Sequence, residues 1–414
     1  MKDNAGRYKD GMLSRGKPRQ AMIIRSHDAY DWKLSDFLHT RSLISELNLA
    51  SGGEYEIILL VQLTREETAH LTTSELKDAI KIQELKDNYV PTEFRDMAIF
   101  FNEDQMAELY PKVEDHSYMY QAFQPLQWLA KERPEFMYFW SVEQDLRYTG
   151  HNYELFHQAA EWSSQQPRKL LWERNEAFYI PAVHKSWQNF SGEVAAHIPS
   201  GGILGPNPPP DYKYQPMMPL PSPVPEDWGV GEEADVIVFL PMWNPVGSGW
   251  WATNRLHGFT DDKSVPRRTS VVTIGRYSRR LLMQVHKEQV EEGYWIQGEM
   301  AMPTAALHHG LKAVSVPNPQ FFNQDIDHAT VNRVFNGESG KPLSIGNPAV
   351  NFGGMQQKWQ SLTYSYQNRL GLELYRWWLG KEVQGREHPV AWEEKMSGGL
   401  PCFPPMLLHP IKDL

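Results

Sequence analysis

Residues 136–147 read FMYFWSVEQDLR, an apolar run that stops at two carboxylates. A continuous apolar run of this length is typical of a strand buried on both faces of a sheet. Glu143 and Asp145 follow at its carboxyl end, and open α/β sheets bind ligands at that end of their strands. The stretch predicts a buried strand that presents two acids at a binding edge.

The segments before it predict a parallel sheet. Ala21 to Ile24 is a short apolar run that ends in a polar loop, and Tyr55 to Leu63 is a second run. Between them, apolar residues recur at roughly helical spacing until Gly52 and Gly53 end the helix. Strand, helix, strand is the opening of a parallel α/β sheet. Later patterns predict further strands at 236–240, 270–274 and 313–316, and helices at 278–290, 299–311 and 359–378.

The chain is expected to form one domain over residues 20–414, because 414 residues can fold as a single large domain with insertions. Residues 1–19 are rich in Lys, Arg, Gly and Asp and predict a disordered leader, with order beginning near Ala21. Residues 199–226 are dense in Pro and Gly and predict a surface excursion within the domain. A loop-rich extension is expected from about residue 330.

Composition excludes some functions. The formal charge is −10, from 51 acidic and 41 basic residues, which argues against a nucleic-acid partner. The single cysteine, Cys402, cannot form an internal disulfide, and no apolar run approaches the roughly 20 residues of a membrane span. We therefore expect a cytoplasmic protein with no membrane span. A longer gene product with an N-terminal anchor would instead reside in the Golgi.

The two acids predict a metal site. Residues two apart on an extended strand point the same way, and carboxylates so placed repel each other unless a cation lies between them. Mn²⁺ or Mg²⁺ held by Glu143 and Asp145 would neutralise charge on a departing nucleotide. The alternative is a solvated strand end whose acids pair with Arg147 or Arg174.

Residues 139–151, FWSVEQDLRYTGH, resemble the signature of a fungal family filed as domain of unknown function 3405. That resemblance covers most of the chain from about Ala21. The segment is also similar, more distantly, to the Tyr-Trp-x-Val-Glu-Pro-Asp segment of fungal α-mannosyltransferases that make protein-linked mannose chains. These resemblances imply a glycosyltransferase A-type fold, in which a mixed, mostly parallel sheet is flanked by helices. They also imply a UDP- or GDP-sugar donor and a hydroxyl-bearing small-molecule or glycan acceptor.

Three further segments support the resemblance. Residues 24–28, IRSHD, resemble the first-strand loop that receives the nucleotide, and residues 118–128 resemble the aromatic-rich helix before the metal strand. Residues 294–299 and 303–306 are similar to a Trp-Gly-Asp-x-Pro region where an acid faces the acceptor. The resemblance thus assigns the nucleotide-sugar to a set of five residues: Arg25, Ser26, Asp28, Tyr120 and Arg147. For Arg25 a structural salt bridge is the competing interpretation.

Glu299 is the candidate general base. A carboxylate in the first turn of a helix is stabilised by the dipole and stays ionised, as a base must be. The alternative is that Glu299 is an ordinary helix-start acid.

Three tryptophans, Trp243, Trp250 and Trp251, lie in a Gly-rich loop after a predicted strand and are assigned to the acceptor pocket as a group. Core packing is the competing interpretation for each one singly.

Two departures from the mannosyltransferases bear on the metal. They have proline between the acids, where this chain has Gln144, and their late metal-binding histidine has no certain counterpart here. His308, His309 and His328 are candidates for the third ligand, although the first two are expected to be structural. Asn318 occupies a position where the resemblance predicts histidine.

The sequence therefore predicts a metal-dependent glycosyltransferase. Two other classes stay open. One is a non-catalytic carbohydrate- or nucleotide-binding protein on the same fold. The other is a hydrolase with paired carboxylates, which would need two acids flanking a sugar rather than two acids facing one ion.

Overall fold

The computed structural model describes residues 19–198, 202–321, 326–336, 363–364, 370–380 and 404–412. The predictions for residues 1–18, Cys402, the start of the 199–226 excursion and most of the C-terminal extension lie outside these residues. Among the first residues described, the side chain of Arg19 is buried and ion-paired with Glu56. The described excursion, residues 202–226, contains no helix or strand.

A seven-stranded sheet forms the centre of the molecule, in the order β10-β6-β8-β4-β1-β2-β3. Only β8 runs antiparallel to its neighbours, so the predicted mixed, mostly parallel sheet is confirmed. The strands are β1 Gln20–His27, β2 Tyr55–Gln62, β3 Ala98–Phe101, β4 Tyr138–Glu143, β6 Val236–Val238, β8 Ile274–Ser278 and β10 Ala313–Ser315. Two short antiparallel pairs lie outside it: β5 Arg147–Tyr148 with β11 Leu407–Leu408, and β7 Leu256–His257 with β9 Trp295–Ile296.

Helices cover both faces of the sheet. The first helices of the described chain are α1 Leu34–Leu43, α2 Ala79–Tyr89, α3 Glu103–Leu109, α4 Tyr118–Gln121, α5 Gln124–Glu132, α6 Asn152–Ser164 and α7 Leu171–Asn175. The later ones are α8 Pro181–His184, α9 Trp187–His197, α10 Arg279–Glu292, α11 Gly298–His309, α12 His328–Asn336 and α13 Leu370–Trp378. A π-helix, Ile44–Leu49, continues α1, and 3₁₀ turns form at Glu75–Lys77 and Thr92–Met97. None of the helices described is long and apolar enough to cross a bilayer.

The alternation of side chains explains why the central strands are apolar throughout. Along β1, Met22 and Ile24 pack into one core cluster while Ala21 and Ile23 pack into the cluster on the opposite face. Helices α1 and α6 cover the first face, whereas α5, α10 and α11 cover the second. A strand buried on both sides needs apolar residues at every position, which is the pattern read from the sequence.

Trp140 in the middle of β4 is fully buried, and its indole N–H donates to Gln20 Oε1 at 3.0 Å. Burial of a side chain of this size contributes about 1.5–3 kcal/mol or more. The hydrogen bond satisfies its one polar atom, so the whole side chain stabilises the pairing of β4 with β1.

One predicted strand is misplaced. The sequence predicts a strand at residues 270–274, whereas β8 begins at Ile274 and runs to Ser278. Residues 270–273 are an extended approach in which the carbonyl of Thr273 accepts the Glu143 N–H at 2.9 Å. Strand β8 contains Gly275 and Arg276, so its sequence is not a continuous apolar run and does not predict a buried strand. Arg276 can be buried in this strand because its guanidinium donates hydrogen bonds to Glu233 and to the carbonyl of Ala234.

Candidate metal centre and ligand cleft

The candidate site lies where the strand order reverses. The chain proceeds from β1 to β2 and β3 on one side and then returns to place β4 on the other side of β1. Ligands of open α/β sheets bind outside the carboxyl ends of the strands at such a switch point. Arg25 and Glu143 are register partners there, and Arg25 Nη2 lies 3.1 Å from Glu143 Oε1. The same nitrogen donates to the carbonyl of Val272 at 2.8 Å, so Glu143 is held at the rim of the sheet.

A turn, rather than an extended strand, relates the two acids. Strand β4 ends at Glu143, residues 144–145 form a turn, and the Leu146 N–H donates to the Glu143 carbonyl at 3.2 Å. The expectation that both acids point the same way along one strand is therefore wrong in its geometry. The turn nevertheless brings both carboxylates to one place, which also contains an imidazole.

The imidazole belongs to His409, which the C-terminal tail delivers. Strand β11 pairs with β5, so that Leu408 lies opposite Arg147, and the Ile411 N–H donates to the Asp145 carbonyl at 2.8 Å. His409 Nε2 lies 3.1 Å from Glu143 Oε2 and 3.3 Å from Asp145 Oδ1. One ligand-type atom from each of the three residues lies within 4.8 Å of the others.

These groups set each other's protonation. Burial lowers the pKa of His409, but its hydrogen bonds to Asp145 and Glu143 outweigh burial and raise the pKa to about 9. Burial raises the pKa of Asp145, yet the hydrogen bond and charge of His409, together with Lys412, bring it below its ordinary value. Lys412 Nζ lies 3.6 Å from Asp145 Oδ2. The His409 ring nitrogen thus lies within hydrogen-bonding distance of both carboxylates.

The three side chains fit a divalent metal ion. The contacts of His409 Nε2 to the two carboxylates are close to the roughly 3 Å that separates neighbouring ligand atoms in an octahedron. Two carboxylates and an imidazole suit Mn²⁺ better than Mg²⁺, because Mg²⁺ prefers oxygen ligands alone. Because a ligating imidazole must be neutral, a metal bound by His409 would compete with a proton at Nε2.

A cleft of about 600 Å³ opens beside the three residues. This volume is within the range of small-molecule sites, about 300–1,000 Å³. Its lining combines β1, the loop before α1, the acids and the tail: Arg25, Ser26, His27, Ala29, Tyr30, Asp31, Lys33, Ser35, Asp36, Gln62, Tyr118, Glu143, Gln144, Asp145, Ile411 and Lys412.

Two of the five residues assigned to the nucleotide-sugar, Arg25 and Ser26, line this cleft. Asp28 does not. Its carboxylate accepts from the backbone and hydroxyl of Thr64, from the backbone of Arg65 and from the hydroxyl of Thr68. Because both oxygens are engaged, Asp28 holds the loop after β2, and the assignment of Asp28 to the donor is corrected.

Arg147 is likewise structural. It is fully buried and ion-paired with Asp36, and its guanidinium donates to the carbonyls of Gln144 and Leu146 at 2.6 and 2.8 Å. It therefore fixes the turn that carries Asp145 rather than touching the donor. The alternative in which Arg147 or Arg174 neutralises the acids is also corrected, since Arg174 donates to the carbonyls of Lys169 and Pro167.

The aromatic helix contributes a different tyrosine from the one assigned. Tyr118 lines the cleft, and the Arg25 guanidinium lies 5.6 Å from the centroid of its ring. Tyr120 instead packs edge-on against Trp251 and Trp295, with ring centroids 6.3 and 6.1 Å away. Tyr120 thus belongs with the proposed acceptor residues, because the helical turn of α4 points the two tyrosines in different directions.

Glu299 is the second residue of α11, so it lies in the first turn of a helix as predicted. Its pKa is nevertheless not lowered by this position. Burial raises the pKa of Glu299 to about 7, with a further contribution from the negative charge of Glu143. The direction of this shift is opposite to the one expected from the helix start alone. A pKa near the working pH is nevertheless what general base catalysis requires.

The three tryptophans form a contiguous group. Trp250 lies 6.4 Å from Trp243 and 5.9 Å from Trp251, measured between ring centroids. Trp243 is buried, which agrees with core packing, whereas Trp251 is 53% exposed. Only Trp251 contacts Tyr120, so it is the member of the group best placed to meet an acceptor.

None of the four residues considered for the late ligand belongs to the described metal-ligating cluster. His308 bonds the carbonyl of Pro266 and His309 bonds Glu288, both inside the fold. His328 lies exposed at the start of α12, and Asn318 donates to the carbonyl of Phe239.

Sequence reasoning missed His409, Lys412 and the cleft-facing role of Gln144. Gln144 is buried, lines the cleft, and neither atom of its amide has a hydrogen-bond partner among the described residues. The signal for His409 was the short apolar run 406–408 ending in a histidine, the same strand-then-polar pattern that located Glu143.

The model of the family described as Protein of unknown function (DUF3405) matches residues 2–413. No curated protein matches the chain. The match spans nearly the whole chain, and the chain belongs to this family.

Proposed function

We propose that this member of the DUF3405 family is a metal-dependent glycosyltransferase, which moves a sugar from a nucleotide-diphosphate donor to an acceptor hydroxyl. One observation carries the proposal. Glu143, Asp145 and His409 converge from distant parts of the chain at the carboxyl edge of the sheet, beside a cleft of nucleotide-sugar size. The resemblance of residues 139–145 to the metal segment of α-mannosyltransferases supports the same reading.

In this proposal Glu143, Asp145 and His409 hold Mn²⁺ or Mg²⁺, which when bound neutralises the diphosphate leaving group. Arg25 keeps Glu143 in place through the 3.1 Å ion pair. Lys412, whose side chain is 69% exposed, can turn its ammonium from Asp145 toward a phosphate. The unpartnered Gln144 amide supplies a donor and an acceptor to the donor's hydroxyl groups.

Glu299 is the candidate base for the acceptor hydroxyl. It lies at the start of α11, where the Gln297 side chain bonds both the Glu299 N–H and the carbonyl of Met119 in α4. This contact joins the base to the helix that carries Tyr118 and Tyr120. Tyr118 faces the donor cleft and Tyr120 faces Trp251, so the base lies between the two substrate regions.

The test is titration calorimetry of UDP and GDP with and without Mn²⁺, followed by turnover assays across UDP- and GDP-sugars. We expect nucleotide binding to require the metal and one donor to turn over. Asp145→Asn should abolish both, whereas Asp31→Asn, an exposed change at the same cleft, should leave turnover within a few-fold of the wild type. Unchanged sugar transfer in Asp145→Asn would overturn the proposal.

A non-catalytic nucleotide-binding protein is the second candidate, and one observation favours it. Arg25, His409 and Lys412 already pair with the two acids, so the carboxylates of the described site have cationic partners without a metal. This candidate predicts nucleotide binding that is indifferent to Mn²⁺ and no turnover of any sugar nucleotide.

A further inference from the structure

A second cavity lies at the opposite edge of the sheet. Its volume is about 510 Å³, and its lining includes the first residues of three central strands, Gln20, Tyr55 and Tyr138. The metal-side cleft begins at the other end of the same strands, with Arg25 and His27. Along β1, Gln20 of the second cavity and Arg25 of the metal-side cleft are five residues apart, which is about 17 Å of extended strand. The second cavity therefore has no part in the proposed transfer reaction.

The base of this cavity is formed by a buried arginine. Arg276 is 1% exposed, and its Nη2 donates to Glu233 Oε2 at 2.8 Å and to the carbonyl of Ala234 at 3.0 Å. Its Nε is buried and has no hydrogen-bond partner among the described residues. The guanidinium stacks on Tyr138, with 4.2 Å between the central carbon and the ring centroid. A buried arginine with unused donor capacity at a cavity wall indicates a ligand that accepts hydrogen bonds.

The charges of the lining restrict that ligand. Three glutamates, Glu54, Glu161 and Glu233, line the cavity together with Arg276. The excess of carboxylates disfavours phosphates and other anions, and Arg276 at the base disfavours an amine. The lining therefore favours a neutral ligand that both donates and accepts hydrogen bonds. Hydroxyl groups do both, donating to carboxylates and accepting from Arg276.

Aromatic side chains supply the apolar part of the cavity. Tyr55, Tyr138 and Trp162 share its wall with the polar groups, and both Tyr138 and Trp162 are half-buried. Rings beside carboxylates and amides suit the alternating C–H and O–H surfaces of a sugar. We propose that this cavity is a binding site for a neutral saccharide of about one or two pyranose rings, remote from the metal centre.

The experiment is saturation-transfer NMR on the full chain without added metal, using maltose, cellobiose and mannobiose as probes. Glucose 6-phosphate and glucosamine are the anionic and cationic comparators. We expect at least one neutral disaccharide to bind with a Kd in the millimolar range and more tightly than either charged sugar. Absence of binding by every disaccharide, or tighter binding of a charged comparator, would overturn the proposal.

Paired tryptophan variants locate the binding. Trp162→Leu should weaken it at least 10-fold, while Trp378→Leu, at an exposed tryptophan that lines neither cavity, should leave it unchanged. Glu161→Ala and Gln165→Ala, at exposed positions in the last turn of α6 and directly after it, repeat the test with little risk to folding and should each weaken binding at least 3-fold. Loss of binding in Trp378→Leu, with full binding in the Glu161 and Gln165 variants, would place the saccharide elsewhere and overturn the proposal. Since no arm depends on turnover or metal, its failure is separate from failure of the glycosyltransferase proposal.

Discussion

His409 Nε2 lies 3.1 Å from Glu143 Oε2, although 266 residues separate the two in the chain. The contact exists because the tail pairs with the two residues that follow the acidic turn, and so the C-terminal strand completes the site that the central strand begins. Both residues are therefore expected to act together in binding a cation.

His409→Ala should weaken Mn²⁺ binding at least 10-fold, equivalent to about 1.4 kcal/mol or more, because one of three protein ligands is removed. His328→Ala is the matched control, since His328 is exposed and outside the cluster. Titration of Mn²⁺ followed by electron paramagnetic resonance measures both. Equal affinity in the two variants would show that His409 is not a ligand.

Glu299→Gln should flatten the pH dependence of transfer. A base works only when ionised, and burial together with Glu143 raises the pKa of Glu299 to about 7. The rate of the wild type should therefore fall about 10-fold per unit as pH drops below 7 and level off above it. The variant should be slow throughout, with no inflection near 7 in a profile of kcat/KM. An unchanged inflection in the variant would assign the titration to another group.

The same shift predicts an effect on stability. Because the folded-state pKa of Glu299 is raised, the native protein is penalised for the charge once pH exceeds about 4.5, and the penalty is complete above about 7. Glu299→Gln should accordingly raise the Tm relative to the wild type at pH 8 but not at pH 4.5. Thermal melts at the two pH values, without metal, provide the comparison. A stability gain that is equal at both values would point to packing instead of charge.

Asp36→Asn should destabilise the fold by about 3–5 kcal/mol, because it leaves the fully buried Arg147 without its partner. Asp31→Asn is the control, since the Asp31 side chain is 80% exposed in its pair with Lys33 and should cost less than about 1 kcal/mol. Urea unfolding gives both values. Mn²⁺ affinity should fall with Asp36→Asn as well, since Arg147 fixes the turn that carries Asp145.

Trp251→Leu should raise the KM for the acceptor several-fold and change kcat little, because Trp251 is exposed, contacts Tyr120 and Trp250, and is not part of the metal-ligand cluster. Trp378→Leu, a change at another exposed tryptophan, should leave KM unaltered. Steady-state kinetics with a fixed donor separates the two parameters. A fall in kcat alone would remove Trp251 from the acceptor region.

Local sequence patterns were sufficient to predict most of the strands and helices and about half of the site residues. Apolar runs without alternation located β1, β2, β4 and β10, because strands buried on both faces require apolar residues at every position. The same pattern placed Arg25 and Glu143 at strand ends, and the mostly parallel sheet then made them neighbours. Strand β8 was misplaced because Gly275 and Arg276 interrupt its apolar character.

Only the tertiary structure decided the third ligand and the partners of the charged side chains. The short apolar run before His409 marks a strand end but does not show which residues that end meets; it is the pairing of β11 with β5 that carries His409 to the acids. Asp28 and Arg147 follow strands as binding residues do, yet Asp28 accepts from Thr64 and Thr68 in the loop after β2, and Arg147 is ion-paired with Asp36 in α1. Side-chain periodicity is fixed by backbone geometry over a few residues, whereas the partner of a charge depends on which distant segments the packed core brings together.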